Sequence, residues 1–403
     1  VTPAVPDRLE RAYREERAAV LATVARRLGD LALAEDAVQE AFAAAATRWP
    51  VDGVPDRPGA WLTTTAWRKA LDVRRRESRT YPTDQVLDSP APAADEVPGS
   101  LDDVLALVLA CCHPALAADA QVALTLRHVA GLGVREIAAA FLVTEATMAK
   151  RLVRARTKLR EAAVRFSVPE GVDLVERLAE VHAVVYLIFS EGYLASGDGP
   201  AVRLDLCEEA VWLARQVRRL VPEDRESAGL LALVLLQSAR SAARSAGGGL
   251  VPYAEQDPRQ WDAARVDEAR AVLATTAGDP PGPYQLQAAI ALLHATAAAP
   301  DRVDWVRVSR LYAALARLDP SPAVQVNRAV AVGRADGPAA GLALLRPLLD
   351  EARLAGWPPL LAAHADLLER ARDPGAATAW RRAAAAAPAG PQRENLRRRA
   401  GAG

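Results

Sequence analysis

Between Val134 and Leu159 the sequence gathers residues suited to holding nucleic acid. Ile137, Ala138 and Phe141 form the apolar face of a short helix. Thr144 is a good N-cap, and Thr147, Met148 and Leu152 open a second apolar stripe. Two short helices about a tight turn make a helix-turn-helix, whose second helix fits a major groove. From Thr144 to Phe166, seven basic residues (Lys150, Arg151, Arg154, Arg156, Lys158, Arg160, Arg165) stand against two acidic ones, a local charge of +5. Neutralising phosphates requires such an excess. Thr144, Thr147, Lys150, Arg151, Arg154, Arg156 and Lys158 are therefore the candidate DNA contacts of this segment. The plain alternative is an amphipathic helix with a solvated basic face, which leaves the order of helix, turn and basic helix unexplained.

A second cluster comprises Trp61, Thr64, Thr65, Trp67, Arg68, Lys69, Arg74, Arg75 and Arg76. Aromatics and hydroxyls interleaved with cations suit single-stranded DNA, because bases can stack while the backbone is neutralised. Trp61 and Trp67 serve equally well as core residues, and the pattern favours that role for at least one of them. Other groupings carry less. Cys111-Cys112-His113 lacks the spacing of a zinc site and follows an apolar run, so core burial is the better reading. The five histidines show no paired pattern, Glu191, Asp198 and Asp205 form no catalytic pair by spacing, and Gly247-Gly248-Gly249 lacks the Lys-Ser/Thr of a phosphate loop. No catalytic residue, metal ligand or cofactor is expected.

The elements that must position these residues are helices almost throughout, since no apolar alternation is long enough for a sheet. Leu9, Tyr13, Val20, Val24 and Leu28 recur at helical spacing until Gly29-Asp30. A second helix is expected over about 33–49, with Val38, Phe42 and Ala45 inward, then a loop from Pro50 to Pro58 and a third helix over about 59–76. Residues 83–103 carry six acidic side chains, no basic one and several prolines, which predicts an extended linker. Helices resume at Leu101 and run to about Phe166, and Ser167-Val168-Pro169 marks another boundary. Beyond it, breaks such as Gly197-Asp198-Gly199-Pro200, Asp319-Pro320-Ser321-Pro322 and Asp336-Gly337-Pro338 predict a series of helical hairpins. Asn327-Arg328-Ala329 with Gly337-Pro338-Ala339-Ala340 resembles His364-Ala365-Asp366 with Pro374-Gly375-Ala376-Ala377, an offset of 37 residues, close to the tetratricopeptide period. The expected organisation is all-α: 1–79, a linker over 80–100, 101–167, and a helical C-terminal part over 168–403 that divides near 282.

The whole chain has 403 residues, with 50 Lys+Arg and 50 Asp+Glu, so global charge points to no partner and only local asymmetry does. With 51% hydrophobic and 25% charged residues, wholesale disorder and collagen-like architecture are excluded. Three cysteines cannot frame a disulfide scaffold. No apolar run reaches 18 residues and the start of the sequence lacks the order of an export signal, so a cytoplasmic protein without a membrane partner is expected.

These motifs together resemble a known family. Asp36-Ala37-Val38-Gln39-Glu40-Ala41-Phe42 is similar to the region 2 helix with which sigma factors dock on the clamp of bacterial RNA polymerase. The resemblance implies core-polymerase contacts at Asp36, Gln39, Glu40 and Phe42. Pro58-Gly59-Ala60-Trp61-Leu62-Thr63-Thr64-Thr65-Ala66 through Arg76 resembles the segment that melts and reads the −10 element, which implies DNA contacts at Trp61, Thr64, Thr65, Trp67, Arg68, Lys69, Arg74 and Arg75. Residues 101–165 resemble region 4, with its helix-turn-helix for the −35 element. Two such regions and a short linker look like the extracytoplasmic-function (ECF) group of sigma-70 factors. The remaining helical part resembles the tetratricopeptide-like extension of one ECF subgroup, in which the extension is thought to replace a separate anti-sigma factor; Cys111 to Leu116 and Tyr186 to Tyr193 look similar to that subgroup too. The implied partners are core polymerase, promoter DNA and a protein or peptide on the extension. The chain departs from the pattern at Leu142, where the turn usually has glycine, and at Lys150, where a small polar residue is common.

Two other functions compete. A one-component helix-turn-helix regulator with a C-terminal sensing domain leaves residues 36–76 unexplained. A tetratricopeptide adaptor would use its basic helices to bind protein.

Overall fold

The computed structural model describes residues 5–80, 101–141, 143–193, 203–246, 249–278, 280–297, 299, 302–387 and 390–401. Most of the expected acidic linker, the Gly197–Pro200 break and Leu142 lie outside the described residues. The chain forms two compact units, Val1–Val185 and Tyr186–Gly403.

The first unit opens with α1 (Val5–Leu28), α2 (Leu31–Asp52) and α3 (Pro58–Thr80), each packed on the other two. Asp30 starts α2 by accepting hydrogen bonds from the Ala32 and Leu33 amides at 2.9 and 3.1 Å. At its other end α2 runs beyond the expected stop, through Pro50 to Asp52. Pro50 costs the helix one N–H donor, but only the final turn is affected. Gly53, at φ 85°, closes the helix with its N–H on the Trp49 carbonyl. The shared core holds Val20, Leu21 and Val24 of α1, Ala34, Val38, Ala41 and Trp49 of α2, and Leu62, Ala66 and Trp67 of α3.

Then follow α4 (Leu101–Cys111), α5 (Ala118–His128), α6 (Val134–Ala140) and α7 (Glu145–Glu161). α4 lies on α1 and α5, while α5 supports both α6 and α7. Cys111 and Cys112 are fully buried, and burial pushes the Cys112 thiol up to about 12. His113 accepts the Ala115 amide at Nδ1, 3.1 Å away, and so closes the turn after α4. α8 (Gly171–Tyr193) runs across the end of the first unit, and Arg177 on its early part donates to the Leu109 carbonyl of α4.

In the second unit, α10 (Arg225–Ser238) is buried on nearly every side and packs against α9 (Leu204–Leu220), α12 (Ala263–Ala274) and α13 (Pro283–Ala295). Between α10 and α12 come the short α11 (Ser241–Arg244) and a two-residue antiparallel pairing of Ser245–Ala246 with Gly249–Leu250. α10 and α13 meet at Gly229, where a Cβ would stand 2.6 Å from the Gln285 amide nitrogen. Glu226 caps α13 by accepting the Tyr284 and Gln285 amides at 2.9 and 3.1 Å.

The chain continues as α14 (Trp305–Leu318), α15 (Pro322–Ala335), α16 (Pro338–Leu349), α17 (Pro358–Arg370), α18 (Ala376–Ala386) and α19 (Pro391–Gly401), each packed on the next. Five helices of this unit (α13, α15, α16, α17 and α19) have proline in their first turn. There the missing N–H is one the helix could not have used. The prolines that end one helix thus also start the next. The two segments related by 37 residues in sequence are the hairpins α15–α16 and α17–α18. Three small cores follow one another along this stack, centred on Val308 and Leu315, on Leu345 and Leu367, and on Trp380.

Candidate nucleic-acid and polymerase interface

α7 is amphipathic in a way that separates packing from chemistry. Met148, Leu152, Ala155 and Leu159 are buried, at the spacing of one helix face. Lys150, Arg154 and Lys158 are all exposed, four residues apart, on the other side. Thr144 caps the helix with its hydroxyl on the Thr147 amide at 3.2 Å, and both threonines are exposed at its N-terminus. The turn before it is closed by the Val143 amide on the Ala138 carbonyl at 3.0 Å.

Two other arginines of α7 are engaged. Arg151 pairs with Asp119 of α5 at 3.1 Å and lies over the Phe141 ring, so it orients α7 on its support. Arg156 donates to Glu35 of α2. Sequence reasoning passed over Glu35, which is 3% exposed and sits at the centre of a charged cluster. Its Oε1 accepts both Nε and Nη2 of Arg127, each at 2.8 Å, and Nε2 of Gln39 at 3.3 Å. The Nε2 atom of His128 stands 3.9 Å from Oε2, and Arg17 of α1 donates to the His128 carbonyl at 3.2 Å. Burial alone would raise the Glu35 carboxyl, but the groups packed around it, His128 and the guanidinium groups of Arg127, Arg156 and Arg17, outweigh it and hold it below its ordinary value. Burial drives His128 down to about 3; the neighbouring arginines reinforce the shift against Glu35, so its ring is neutral. The only sequence signal for this cluster is a carboxylate between the core residues Ala34 and Ala37, where an unpaired charge would be costly.

On α2, Asp36, Gln39 and Glu40 are exposed on one face. Phe42, expected beside them, points inward at 7% exposure and meets Tyr13 edge-on at 4.9 Å. A helix turns 100° per residue, so a face that exposes 36, 39, 40 and 43 puts 42 in the core.

On α3 the two tryptophans separate. Trp67 is fully buried, with the Arg27 guanidinium 5.9 Å from its ring, and has no face for a base. Trp61 is half-buried, edge-on to Trp49 at 5.6 Å. Thr64 and Thr65 are partly exposed, and Arg68, Lys69 and Arg75 are exposed. Lys69 pairs with Glu40 at 3.5 Å, and Arg74 donates to the Leu28 carbonyl at 2.7 Å, fixing α3 against the end of α1.

Comparison with known families settles what these helices are. Residues 12–80 match sigma-70 region 2, which covers α1 to α3, and residues 106–159 match sigma-70 region 4, which covers α4 to α7. A probable ECF RNA polymerase sigma factor, SigI of Mycobacterium tuberculosis, is 31% identical over 186 residues, 44% of this chain and 63% of that protein. The chain belongs to the ECF group of sigma-70 factors.

As a sigma factor it binds the RNA polymerase core and promoter DNA and acts in transcription. Residues 177–277 of this sigma factor match a family of unknown function, DUF6596, which spans most of α8 through α12. An uncharacterised protein, R00370 of Rhizobium meliloti, is 45% identical over 338 residues, 81% of this chain and 79% of its own. No solved structure gives a significant match. Among the described residues, no helix of this sigma factor is long and apolar enough to cross a membrane.

Proposed function

We propose a division of labour within the sigma factor. The exposed face of α2, with Asp36, Gln39 and Glu40, binds core polymerase. The outer side of α3, with Trp61, Thr64, Thr65, Arg68, Lys69 and Arg75, holds the melted −10 strand. The outer face of α7, with Thr144, Thr147, Lys150, Arg154 and Lys158, enters the major groove at the −35 element. The observation that carries this reading is the segregation on α7: its apolar face is consumed by packing, while three cations four residues apart are left on the other face.

The test is promoter-dependent transcription by the full chain with core polymerase. Arg154→Ala at a base-reading position costs about 1–3 kcal/mol and relaxes preference at one base pair; Lys158→Ala at a phosphate weakens all promoters alike and lowers the salt slope by about 1. If both variants transcribe from the −35-dependent promoter as the wild type does, α7 is not the reader.

The helical unit from Tyr186 onward then controls the factor. Promoter recognition uses regions 2 and 4 alone, yet this chain carries a second core-bearing unit on the same polypeptide. A tethered regulator acts at high effective concentration without tight binding. A fragment ending at Tyr193 keeps α8 and its Arg177–Leu109 bond, which a cut near Ser167 would remove. Equal transcription and promoter choice by that fragment and the full chain would leave the second unit without a controlling role.

A further inference from the structure

Two arginines of the second unit carry charge that the fold leaves unanswered. Arg240 lies between α10 and α11, and Arg244 ends α11. The Arg240 guanidinium lies over the rings of Tyr253 and Trp261, 4.6 and 5.6 Å from their centroids, and its Nε and Nη2 donate to Gln256 Oε1 at 3.2 Å each. Gln256 is itself fixed, its Nε2 donating to the Val251 carbonyl at 2.9 Å. The Arg244 guanidinium lies 3.7 Å from the centre of the Tyr193 ring, and its Nη2 donates to the Tyr193 carbonyl at 3.2 Å. Tyr193 in turn stacks on Phe189. On each arginine, Nη1 has no hydrogen-bond partner among the described residues and is not buried.

Among the described residues neither arginine pairs with a carboxylate, although Asp205 and Glu208 lie close enough to share Cys207 as a neighbour with Arg244. Those carboxylates are engaged elsewhere: Asp205 pairs with Arg203 at 2.6 Å, Glu208 with Arg265 at 2.7 Å, and Glu268 on α12 with Arg215 at 2.6 Å. Burial holds the Arg240 guanidinium below its ordinary value, and Arg244 adds to the shift. A half-buried cation without a counter-charge is costly, and a second one a helical turn away repels it. We propose that Arg240 and Arg244 form an anion site that takes a phosphate monoester, the free Nη1 of each donating to its oxygens.

Two positive charges match the dianion of a phosphate monoester better than the single charge of a carboxylate. Guanidinium is also the cation best shaped to offer several N–H donors to one oxyanion. The donors are held in place before a ligand arrives, with aromatic faces beneath them and Gln256 or the Tyr193 carbonyl at their edges. Little side-chain freedom is therefore lost on binding. Tyr193, Arg240, Arg244, Tyr253, Gln256 and Trp261 all fall within residues 177–277, so the site gives a chemistry to the segment that matches the family of unknown function. It uses none of the residues given to core polymerase or promoter, and its test reads binding directly, so its failure would leave those roles untouched.

The full chain is titrated by calorimetry with phenyl phosphate, with a phosphoserine peptide, and with the same peptide carrying glutamate in place of phosphoserine. Saturable one-to-one binding of a phosphorylated probe is expected. Arg240→Gln and Arg244→Gln are each expected to weaken it about tenfold or more, the worth of one charge-assisted hydrogen bond. Phenyl phosphate binding at least as tightly as the phosphopeptide assigns the site to a small phosphorylated ligand, and binding of the phosphopeptide alone assigns it to a phosphorylated protein. A glutamate peptide that binds as tightly as the phosphoserine peptide overturns the phosphate assignment. No binding of either phosphorylated probe to the folded wild type, or binding that both variants keep, overturns the site. If a variant fails to fold, phenylglyoxal labelling of the wild type decides: phenyl phosphate or the phosphopeptide is expected to protect Arg240 and Arg244, and undiminished labelling of both refutes the proposal.

Discussion

Trp61 and Trp67 lie six residues apart on α3, and their replacement separates packing from DNA handling. Trp67 is wholly buried among the first three helices, whereas Trp61 keeps part of its ring in solvent. Trp67→Ala deletes a complete indole from a close-packed core, which costs about 3–5 kcal/mol because the surroundings refill the space only in part. The indole Nε1 of Trp67 is buried without a hydrogen-bond partner, so its removal also relieves a small penalty and places the loss toward the lower end of that range. Trp61→Ala loses an edge-on contact with Trp49 and a partly exposed surface, together about 1–2 kcal/mol.

The assay is urea unfolding of the full chain followed by circular dichroism. Two compact units predict two transitions, so each loss is read from the transition of the first unit and the second serves as an internal control. Reactivity of thymines in the −10 region then measures strand opening. Trp61→Ala is expected to keep most of the stability and lose strand opening. Trp67→Ala is expected to lower the first transition strongly, with any transcription defect following from unfolding. Equal destabilisation by the two variants, or a Trp67→Ala protein that is stable yet cannot open the promoter, would refute the assignment of Trp67 to the core.

Two further outcomes follow from buried groups. His128 is held neutral in the folded state at about 3, so the unfolded chain takes up a proton below its ordinary value of 6.5 that the folded chain refuses. Stability is therefore lost as pH falls from 6.5 toward 3, by about 1.4 kcal/mol per unit, or about 2 kcal/mol between pH 7 and 5; Glu35, whose folded pKa is lowered, adds loss of the same sign below its ordinary 4.5. Urea midpoints of the first transition across that range check this, and His128→Leu is expected to flatten most of the slope above pH 5. In the second unit, Gly229→Ala would ordinarily stabilise a helix by about 1 kcal/mol. Here the new methyl meets the Gln285 backbone at 2.6 Å and must push α13 away from α10, so the second urea transition is expected to fall by about 1–3 kcal/mol.

The elements were legible where local signals are strong. Thr144 marks a helix start through its own hydroxyl, and the breaks at Asp319–Pro322 and Asp336–Pro338 fall at the junctions of α14, α15 and α16. The end of α2 was less legible, because a proline in the last turn removes one bond and leaves the rest of the helix intact. The basic face of α7 could be found from charge and spacing, since exposed residues answer to solvent alone. Which cations were already spoken for could not be found that way: Arg151 and Arg154 look alike in sequence, and only the third dimension brings Asp119 to one of them.

Glu35 shows why the site was harder to find than the fold. A helix period assigns residues to a face, and Glu35 is flanked by Ala34 and Ala37, which belong to the core face of α2. By pattern it is a polar residue at the edge of that face, with water available to its charge. Region 4 covers it, and its partners lie 92 and 121 residues further on. Burying a carboxylate there is tolerable only because α5 supplies Arg127 beside a neutral His128 while α7 supplies Arg156. The same reasoning fixes what each side loses alone. Without region 4, Glu35 becomes an ordinary solvated glutamate at low cost to α2. Without Glu35, region 4 is left with a half-buried Arg127 whose guanidinium keeps only the Leu132 carbonyl, and Arg156 returns to solvent. The imbalance makes the loss of this joint more costly to region 4 than to region 2.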